Sequence, residues 1–330
     1  MKNISLVIPV YNRPEEIDEL LDSLTRQSVK DFEVVVVEDG STVKCDGVVH
    51  KYANCFELSY YFIPNGGPGQ ARNFGATKAK GDYFVVLDSD CFLPPGYIQS
   101  VNEELEATGA DAFGGPDRAS DNFTGIQKAI NYSMTSFFTT GGIRGGKKEL
   151  DKFYPRSFNM GIRREAYERL GGFSKMRFGE DIDFSIRLYE AGYKVRLFPS
   201  AWVYHKRRTG WKKFYRQVYN SGIARINLYK KYPHSLKPVH LLPALFTMGV
   251  GICLIGAPFC LGSLAPLLFY ALLVCVDSTF KNKSLRIGFL SIISSYIQLA
   301  GYGCGFFSAV WNRLILKKGE AAAFEKTFYK

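Results

Sequence analysis

The stretch Val85–Cys91 reads VVLDSDC. An apolar run typical of a buried strand passes directly into two aspartates separated by one residue. Burying two such carboxylates is costly unless positive charge compensates them. Residues two apart in an extended chain point to the same side, so Asp88 and Asp90 are expected to converge on one point. A hard divalent cation, Mg²⁺ or Mn²⁺, suits such oxygen ligands. A turn or helix cap is the alternative interpretation.

The first two hundred residues alternate between short apolar runs and stretches with helical spacing. The runs are rich in β-branched and aromatic residues: Ile4–Val10, Phe32–Val37, Leu58–Ile63 and Tyr83–Leu87. This pattern predicts βα units around a mostly parallel sheet flanked by helices, an α/β fold. Ligands of such sheets bind at the carboxyl ends of the strands. The polar residues that follow each run suit a nucleotide and its phosphates.

The amino-acid composition indicates what kind of partner this protein binds and in which cellular compartment it lies. The 330 residues carry a formal net charge of +11, which favours an anionic partner such as an acidic ligand, a membrane surface or nucleic acid. The seven cysteines have no CxxC spacing and are interpreted as reduced thiols packed as small hydrophobic groups. We therefore expect a protein that faces the cytosol. The first residues do not read as a signal peptide, because charge follows a seven-residue apolar run.

A glycine-rich stretch follows the third run. Gly67-Pro68-Gly69 precedes a predicted helix over 70–80, whose first backbone N–H groups are suited to an anion. The stretch is neither GxGxxG nor a GKS/GKT loop, which disfavours dinucleotide-binding and P-loop proteins. Arg72 is a candidate phosphate ligand, or else a solvated helix residue.

Two acids open a second predicted helix, Asp181–Ala191. Glu180 and Asp181 follow Gly179 directly. Acids are favoured in the first turn of any helix, so capping is one interpretation. The other is catalysis: a carboxylate there is a candidate general base for a hydroxyl nucleophile.

The composition of the sequence changes after about residue 202. No acid occurs between Glu190 and Asp277, and residues 202–237 hold ten Lys or Arg interleaved with aromatics at helical spacing. This predicts a basic amphipathic helix on an anionic membrane surface. A basic face on a soluble helix and nucleic-acid binding are the alternatives, and we expect no nucleic acid as partner.

Two uncharged apolar segments follow. Residues 239–276 are long enough for two short membrane crossings joined near Gly262-Ser263, and residues 287–311 form a third segment. The positive-inside rule places Lys281–Arg286 and the basic tail on one face, whereas a full crossing by 287–311 would separate them. The third segment is therefore either a membrane crossing or a re-entrant or interfacial element.

The ordered motifs resemble those of the family 2 inverting glycosyltransferases of the GT-A fold. The match covers about residues 3–205 and rests on these stretches: Pro9-Val10-Tyr11-Asn12, Glu38-Asp39-Gly40-Ser41, Ala71-Arg72-Asn73, Asp88-Ser89-Asp90, Asn159-Met160-Gly161 and Gly179-Glu180-Asp181. The resemblance implies a cytosolic GT-A catalytic domain over 1–205, a basic interfacial helix and linker over 206–237, a membrane region of two or three helical segments over 238–311, and a polar tail over 312–330.

The resemblance also implies site residues. The nucleotide would be bound by residues of the strand ends and the glycine stretch: Pro9, Tyr11, Asn12, Asp39, Gly67, Arg72 and Asp88. Asp90, with Asp88, would hold Mn²⁺ or Mg²⁺, and His205 would contact the metal or diphosphate unless it is structural. Asp181, with Glu180 beside it, would be the catalytic base. Asn159 and Met160 would face the sugar or the acceptor.

The implied activity is transfer of one sugar from a nucleotide-diphospho-sugar, UDP-linked by family default, to an acceptor hydroxyl on a lipid-linked molecule or glycolipid. The catalytic domain would face the cytosol from the cytoplasmic membrane. Two departures stand out: Glu38 occupies a position where Asp is commoner, and no QxxRW motif is present. The missing motif disfavours a processive polysaccharide synthase. A sugar-1-phosphate nucleotidyltransferase and a catalytically inactive membrane scaffold are the remaining alternatives.

Overall fold

The computed structural model describes residues 3–119, 122–141, 153–176 and 178–319. These residues divide into two compact units. The first contains residues 3–119, 153–176 and 178–205, and the second contains 122–141 and 206–319. Residues 122–141 therefore group with the second unit, although they lie inside the range 1–205 expected for the catalytic domain. Most of the polar tail predicted for 312–330 lies outside the described residues.

The strands and helices are numbered in chain order. The strands are β1 Ile4–Val10, β2 Phe32–Asp39, β3 Glu57–Ile63, β4 Tyr83–Leu87, β5 Cys91–Phe92, β6 Ala112–Gly114, β7 Asp117–Arg118, β8 Asn159–Arg163, β9 Val195–Leu197 and β10 Val203–His205. The α-helices are α1 Pro14–Thr25, α2 Asp46–His50, α3 Pro68–Lys78, α4 Tyr97–Thr108, α5 Gly125–Thr135, α6 Phe137–Thr140, α7 Arg164–Leu170, α8 Glu180–Glu190, α9 Trp211–Lys231, α10 Leu242–Gly256, α11 Ala265–Asn282 and α12 Leu285–Ala309.

The main sheet of the first unit has the order β3-β2-β1-β4-β8-β6-β9. Strands β3, β2, β1 and β4 are mutually parallel, while β8 runs antiparallel to both β4 and β6. β1, β2 and β4 are buried along their whole length, which is why they read as continuous apolar runs in the sequence. The predicted mostly parallel α/β sheet is confirmed.

Helices cover both faces of this sheet. α1 begins with Pro14 in its first turn, followed by two glutamates, which suits the N-terminal end of a helix dipole. Its apolar residues at helical spacing, among them Ile17, Leu20 and Leu24, are fully buried in one core cluster. Each such side chain contributes roughly 1.5–3 kcal/mol through burial. The other face is covered in part by α3, α7 and α8.

A second, three-stranded sheet has the order β5-β10-β7. β5 follows the Asp88–Asp90 turn directly and pairs antiparallel with β10, so that Cys91 lies opposite His205. This pairing brings the end of the first unit back to the aspartate motif. Neither short strand was predicted, because two or three residues carry no periodic signal.

The second unit is helical. Three of its segments are long and apolar enough to cross a membrane: Pro238–Gly256, Leu261–Asn282 and Leu285–Ile315. The first two are the crossings predicted within 239–276, and a 3-10 turn, Leu261–Leu264, joins them at the expected place. The third begins as the uninterrupted α12 of 25 residues, about 37 Å long, rather than a re-entrant hairpin.

The predicted basic helix forms as α9, but its apolar side is buried inside the second unit. Gly222 of α9 lies against the backbone of α12, and Gly305 of α12 lies against Tyr219 of α9; a Cβ on either glycine would come within 2.2 Å of a carbonyl oxygen. Small residues allow this close helix packing. The prediction that this apolar face rests on a membrane surface is therefore not met, whereas Lys212, Lys213 and Arg216 remain exposed.

Candidate active site

The carboxyl ends of β1, β2 and β4 meet at one edge of the main sheet because these strands are parallel. Tyr11 to Arg13 follow β1, Asp39 ends β2, and Asp88 follows β4. This is the edge at which open α/β sheets bind ligands. The helix that carries Glu180 and Asp181 also reaches this edge, through the contacts described below.

Asp39 organises the glycine stretch. Its Oδ1 accepts a hydrogen bond from the Gly66 N–H at 2.7 Å, and its Oδ2 accepts from the Gly67 N–H at 2.9 Å and from Asn65 at 3.1 Å. Burial raises the pKa of Asp39, and the two backbone donors offset part of that rise. Gly67 has a φ of 88°, where a side chain would be strained. The Gly67 N–H group is thus occupied by its hydrogen bond to Asp39.

Asn12 ties the first two strand ends together. Its φ is 52°, in the left-handed region that Asn tolerates. The side-chain Oδ1 accepts from the N–H groups of Thr42 at 2.8 Å and Val43 at 2.9 Å. Pro9 is buried within β1 and Tyr11 is partly exposed. Asn12 therefore shapes the loop after β2 rather than presenting its amide oxygen to solvent.

Glu38, the departure from the commoner Asp, does not share the role of Asp39. It is fully buried, and its carboxylate accepts from the Cys45 N–H at 3.1 Å and from the Tyr60 hydroxyl. Its carboxylate is therefore held beside α2 and β3, and Asp39 alone of the pair serves the glycine stretch.

Arg72 joins the two acidic motifs. Its guanidinium donates to Asp88 Oδ1 at 2.7 Å and to Glu180 Oε1 at 2.9 Å, and only 3% of the side chain is exposed. Burial by itself lowers the pKa of Arg72, but the two carboxylates outweigh it and raise the pKa. The predicted solvated alternative for Arg72 is wrong. Arg72 and Glu180 lie 108 positions apart in the chain and are brought together by this contact. The guanidinium presents its donors in one fixed fork, which bonds both acids.

The acids that open α8 have opposite pKa shifts. Burial raises the pKa of Glu180, and the neighbouring charge of Asp181 adds to the rise. Burial acts the same way on Asp181, but the Arg156 guanidinium at 2.7 Å and the Ile182 N–H at 2.8 Å outweigh it and lower the pKa. Asp181 is therefore held as an ionised carboxylate. The N-cap residue of this helix is Gly179, so neither acid occupies the N-cap position.

The chain turns directly after β4, and this separates the two aspartates of the DSD motif. The Cys91 N–H donates to the Asp88 carbonyl at 3.0 Å, which closes the turn. The rule for residues two apart holds only in an extended strand. Asp88 accordingly bonds to Arg72, whereas Asp90 bonds to Arg13 and lies 3.2 Å from His205 Nε2. The expected convergence of Asp88 and Asp90 on one point is not seen.

Asp90, Cys91 and His205 form the one group of potential metal ligands among the described residues. Their donor atoms all lie within 4.8 Å of one another. The His205 ring stacks on Phe158, and its buried Nδ1 has no hydrogen-bond partner in the described part of the chain. A carboxylate with an imidazole suits Mn²⁺ better than Mg²⁺, which prefers oxygen alone. The residues present therefore fit a divalent metal at Asp90 and His205, with Asp88 outside the cluster.

Asn159 and Met160 lie away from the exposed part of the site. Both are fully buried in β8. The Asn159 amide donates to the Ala201 carbonyl at 2.8 Å, and its oxygen accepts from the Tyr97 hydroxyl at 2.6 Å. The structure does not bring these side chains to a sugar-binding surface; Asn159 instead joins the main sheet to the chain before β10.

Two arginines of the site were missed by sequence reasoning. Arg13 pairs with Asp90 and Arg156 pairs with Asp181. Arg13 directly follows a strand-end motif, which was a usable signal. Arg156 lies in an irregular stretch before β8, and nothing in its local sequence sets it apart. All seven cysteines are free thiols, but Cys55 and Cys260 are exposed and so are not packed as the small hydrophobic groups that we predicted.

Comparison with known proteins agrees with this geometry. The model of glycosyl transferase family 2 matches residues 5–171, about half of the chain. The uncharacterized glycosyltransferase EpsJ of Bacillus subtilis is 27% identical over 201 residues, which cover 59% of this chain and 58% of that protein. The poly(ribitol-phosphate) β-N-acetylglucosaminyltransferase TarS of Staphylococcus aureus is 39% identical over 97 residues, 28% of this chain and 17% of TarS. The chain thus covers less than two thirds of either relative.

Among solved structures, the mannosyltransferase PcManGT from Pyrobaculum calidifontis, in complex with GDP-Man and Mn²⁺, superposes with a TM-score of 0.60 and 18% identity. The match covers 94% of this chain and 87% of that chain. A structure of TarS residues 1–349 gives a TM-score of 0.52 and 20% identity over 91% of this chain and 90% of that chain. At these identities the likeness concerns the fold, which is the expected GT-A fold. With its ordered strand-end motifs and its family match, this chain belongs to glycosyl transferase family 2.

Proposed function

We propose that this chain is a membrane-bound inverting glycosyltransferase. It moves one sugar from a nucleotide-diphospho-sugar, UDP-linked, to a hydroxyl of a lipid-linked acceptor. The observation that carries the proposal is the bridge made by Arg72 between Asp88 of the DSD motif and Glu180 beside Asp181. The bridge supports the proposal because it holds Asp88 and Glu180 close together at one edge of the sheet.

The chemistry follows from the ionised state of Asp181. The acceptor hydroxyl oxygen bonds to the anomeric carbon of the donor sugar while its proton passes to an Asp181 carboxylate oxygen. The bond from that carbon to the diphosphate breaks, and the diphosphate leaves with the electron pair. Attack from the face opposite the leaving group inverts the anomeric centre. Arg156 holds the carboxylate ionised and oriented until the acceptor arrives.

Arginines supply positive charge where the diphosphate would lie. Arg13 and Arg72 are each paired with a DSD aspartate. Their guanidinium groups are suited to phosphate oxygens. A divalent metal, Mn²⁺ or Mg²⁺, held by Asp90 and His205 would neutralise charge that develops on the leaving diphosphate.

The membrane role rests on the helical unit. Three apolar segments support anchoring in a membrane. The location that we propose is the cytoplasmic membrane, with the catalytic domain facing the cytosol. The exposed bases at the start of α9 favour an anionic leaflet. The stretch Tyr215–Tyr219 lacks a QxxRW motif, which favours addition of a single sugar over processive synthesis.

The test uses the full chain in detergent with a membrane lipid extract. Release of nucleoside diphosphate is followed for UDP-, GDP- and dTDP-sugars with Mn²⁺ and with EDTA. Asp181→Asn is expected to lower turnover about 10²- to 10⁴-fold, the range for loss of a general base. Asp111→Asn is the matched control: Asp111 is also paired with an arginine, at 3.1 Å, but it precedes β6 at the opposite edge of the sheet. Equal activity of the two variants would remove Asp181 from the mechanism.

A further inference from the structure

The segment α5–α6 carries two adjacent aromatic side chains that the described residues leave exposed in whole or in part. Phe137 is 71% exposed and Phe138 is 38% exposed. By contrast, each residue from Gly125 to Ser136 is at least partly buried. Exposed adjacent phenylalanines at the tip of an otherwise well-packed segment mark a surface meant for an apolar partner.

The position of this segment is fixed against the two helices that form the second and third candidate crossings. Along α11, the Tyr132 hydroxyl donates to Asp277 at 2.7 Å, and the Tyr270 hydroxyl donates to the Phe138 carbonyl at 3.2 Å. Asp277 and Tyr270 are two helical turns apart, about 10 Å along the axis. The segment therefore advances two turns along α11, away from its C-terminal end.

Contacts with α12 give the same direction independently. Gly125 lies beside Leu290, and the Ala129 carbonyl accepts from the Ser294 hydroxyl at 2.7 Å. Farther along, Met134 packs in one cluster with Ile297. The contacted residues of α12, from Leu290 to Ile297, again span about 10 Å along the helix axis. It starts near the α11–α12 turn, where Lys281, Lys283 and Arg286 mark the water-facing end.

The polar groups near the end of the segment are bonded within it, as an apolar environment requires, whereas Gln127 and Asn131 bond to Arg207. The Ser133 hydroxyl donates to the Ile130 carbonyl at 2.9 Å. The Thr139 hydroxyl donates to the Ser133 carbonyl at 2.5 Å, and the Thr140 hydroxyl to the Met134 carbonyl at 3.4 Å. The carbonyls at the C-terminal end of α5, which a helix leaves unpaired, are thus capped by threonines. Water is not needed to satisfy them.

We infer that α5–α6 dips into the bilayer beside α11 and α12, and that Phe137 and Phe138 contact lipid acyl chains. The inference rests on the proposed membrane location of this unit. It assigns lipid contact to a segment inside the range 1–205, which sequence reasoning placed wholly in the cytosolic domain.

The test is photo-crosslinking in liposomes of phosphatidylethanolamine and phosphatidylglycerol. The full chain carries p-benzoylphenylalanine in place of Phe137, of Phe269 or of Phe62. Phe269 of α11, 68% exposed, is the membrane control, and Phe62 of β3, 46% exposed, is the water-facing control. The lipid adduct at 137 is expected to be within about two-fold of that at 269 and about ten-fold above that at 62.

A yield at 137 equal to that at 62, with a strong adduct at 269, overturns the inference and leaves the membrane anchor intact. No adduct at 269 overturns the membrane location itself. Should the substituted chains fail to insert, the unsubstituted protein is labelled with a carbene reagent dissolved in the bilayer. Label on the peptide that contains Phe137 upholds the inference, and label confined to α10, α11 and α12 overturns it.

Discussion

Removing the Arg72 guanidinium tests the physical account of the site most directly. Arg72→Met keeps the length and apolar stem of the side chain but leaves the Asp88 and Glu180 carboxylates without their shared cation. Breaking a buried ion pair typically costs about 3–5 kcal/mol, because the remaining charge is left uncompensated. Asp88 is about one third exposed, so water solvates its carboxylate and reduces its contribution to this cost. We expect a loss of about 3 kcal/mol at neutral pH.

The loss of stability in Arg72→Met depends on pH, and the ionisation of Glu180 sets the direction of that dependence. Burial and the Asp181 charge already raise the pKa of Glu180, and Arg72 opposes that rise. Without Arg72 the pKa in the folded state rises further above the unfolded value. An acid whose folded pKa is raised destabilises the fold above its unfolded pKa, and the penalty is relieved as pH falls through the folded pKa. The loss should therefore shrink as pH falls from neutrality toward the ordinary pKa of a glutamate.

The assay must resolve the first unit from the helical one, because a chain of two units does not unfold as a single transition. Hydrogen exchange with mass spectrometry at increasing urea, read on peptides of β1, β2 and β4, gives the midpoint for the first unit in the full chain. Arg26→Met is the control, since Arg26 pairs with Asp22 on the surface and should cost under about 1 kcal/mol. Equal losses in both variants, or a loss at Arg72 that does not change with pH, would refute the reasoning.

Three further predictions concern the base, the metal and the helix packing. Arg156→Met should raise the pKa of Asp181, because the strongest opposition to the effect of burial is removed, and so move the acidic limb of the pH–rate profile to higher pH; an unmoved limb would contradict the assignment of Asp181 as base. His205→Ala should weaken Mn²⁺ binding, measured by electron paramagnetic resonance, about ten-fold or more while changing Mg²⁺ binding less; equal losses would speak against an imidazole ligand. Gly305→Ala should destabilise the helical unit by about 1–3 kcal/mol, since a Cβ there meets a Tyr219 carbonyl at 2.0 Å, whereas Gly249→Ala, with nothing within 4 Å, should not; exchange in α12 peptides decides this.

Much of the first unit was predictable from local sequence. Three of the four parallel strands, β1, β2 and β4, are buried along their whole length, so each reads as a continuous apolar run bounded by polar turns. β3, at the edge of the sheet, is partly exposed, but its aromatic residues are typical of a strand. Their order along one edge then follows from βα connectivity, and the polar residues after β1, β2 and β4 could be named in advance. The two apolar helices within 239–276 were equally readable, because length and lack of charge suffice.

The pairing of the charges was decided only by the tertiary structure. Arg72 reads locally as one more polar helix residue, yet long-range packing buries it between Asp88 and Glu180. Arg156 carries no periodic or motif signal, and Asp181 lies 25 positions farther along the chain, beyond β8 and α7. Such contacts depend on where distant backbones are placed, and no local propensity encodes that.

Three expectations failed for the same reason. Asp88 and Asp90 do not converge because a turn replaces the extended chain after Leu87. Asn159 and Met160 are buried because β8 takes a central place in the sheet. The apolar face of α9 is covered by a neighbouring helix whose glycines admit it. The sequence by itself determined which residue types stand at each strand end and which segments are apolar; the tertiary structure decided which side chains meet, because burial and approach depend on residues far away in the chain.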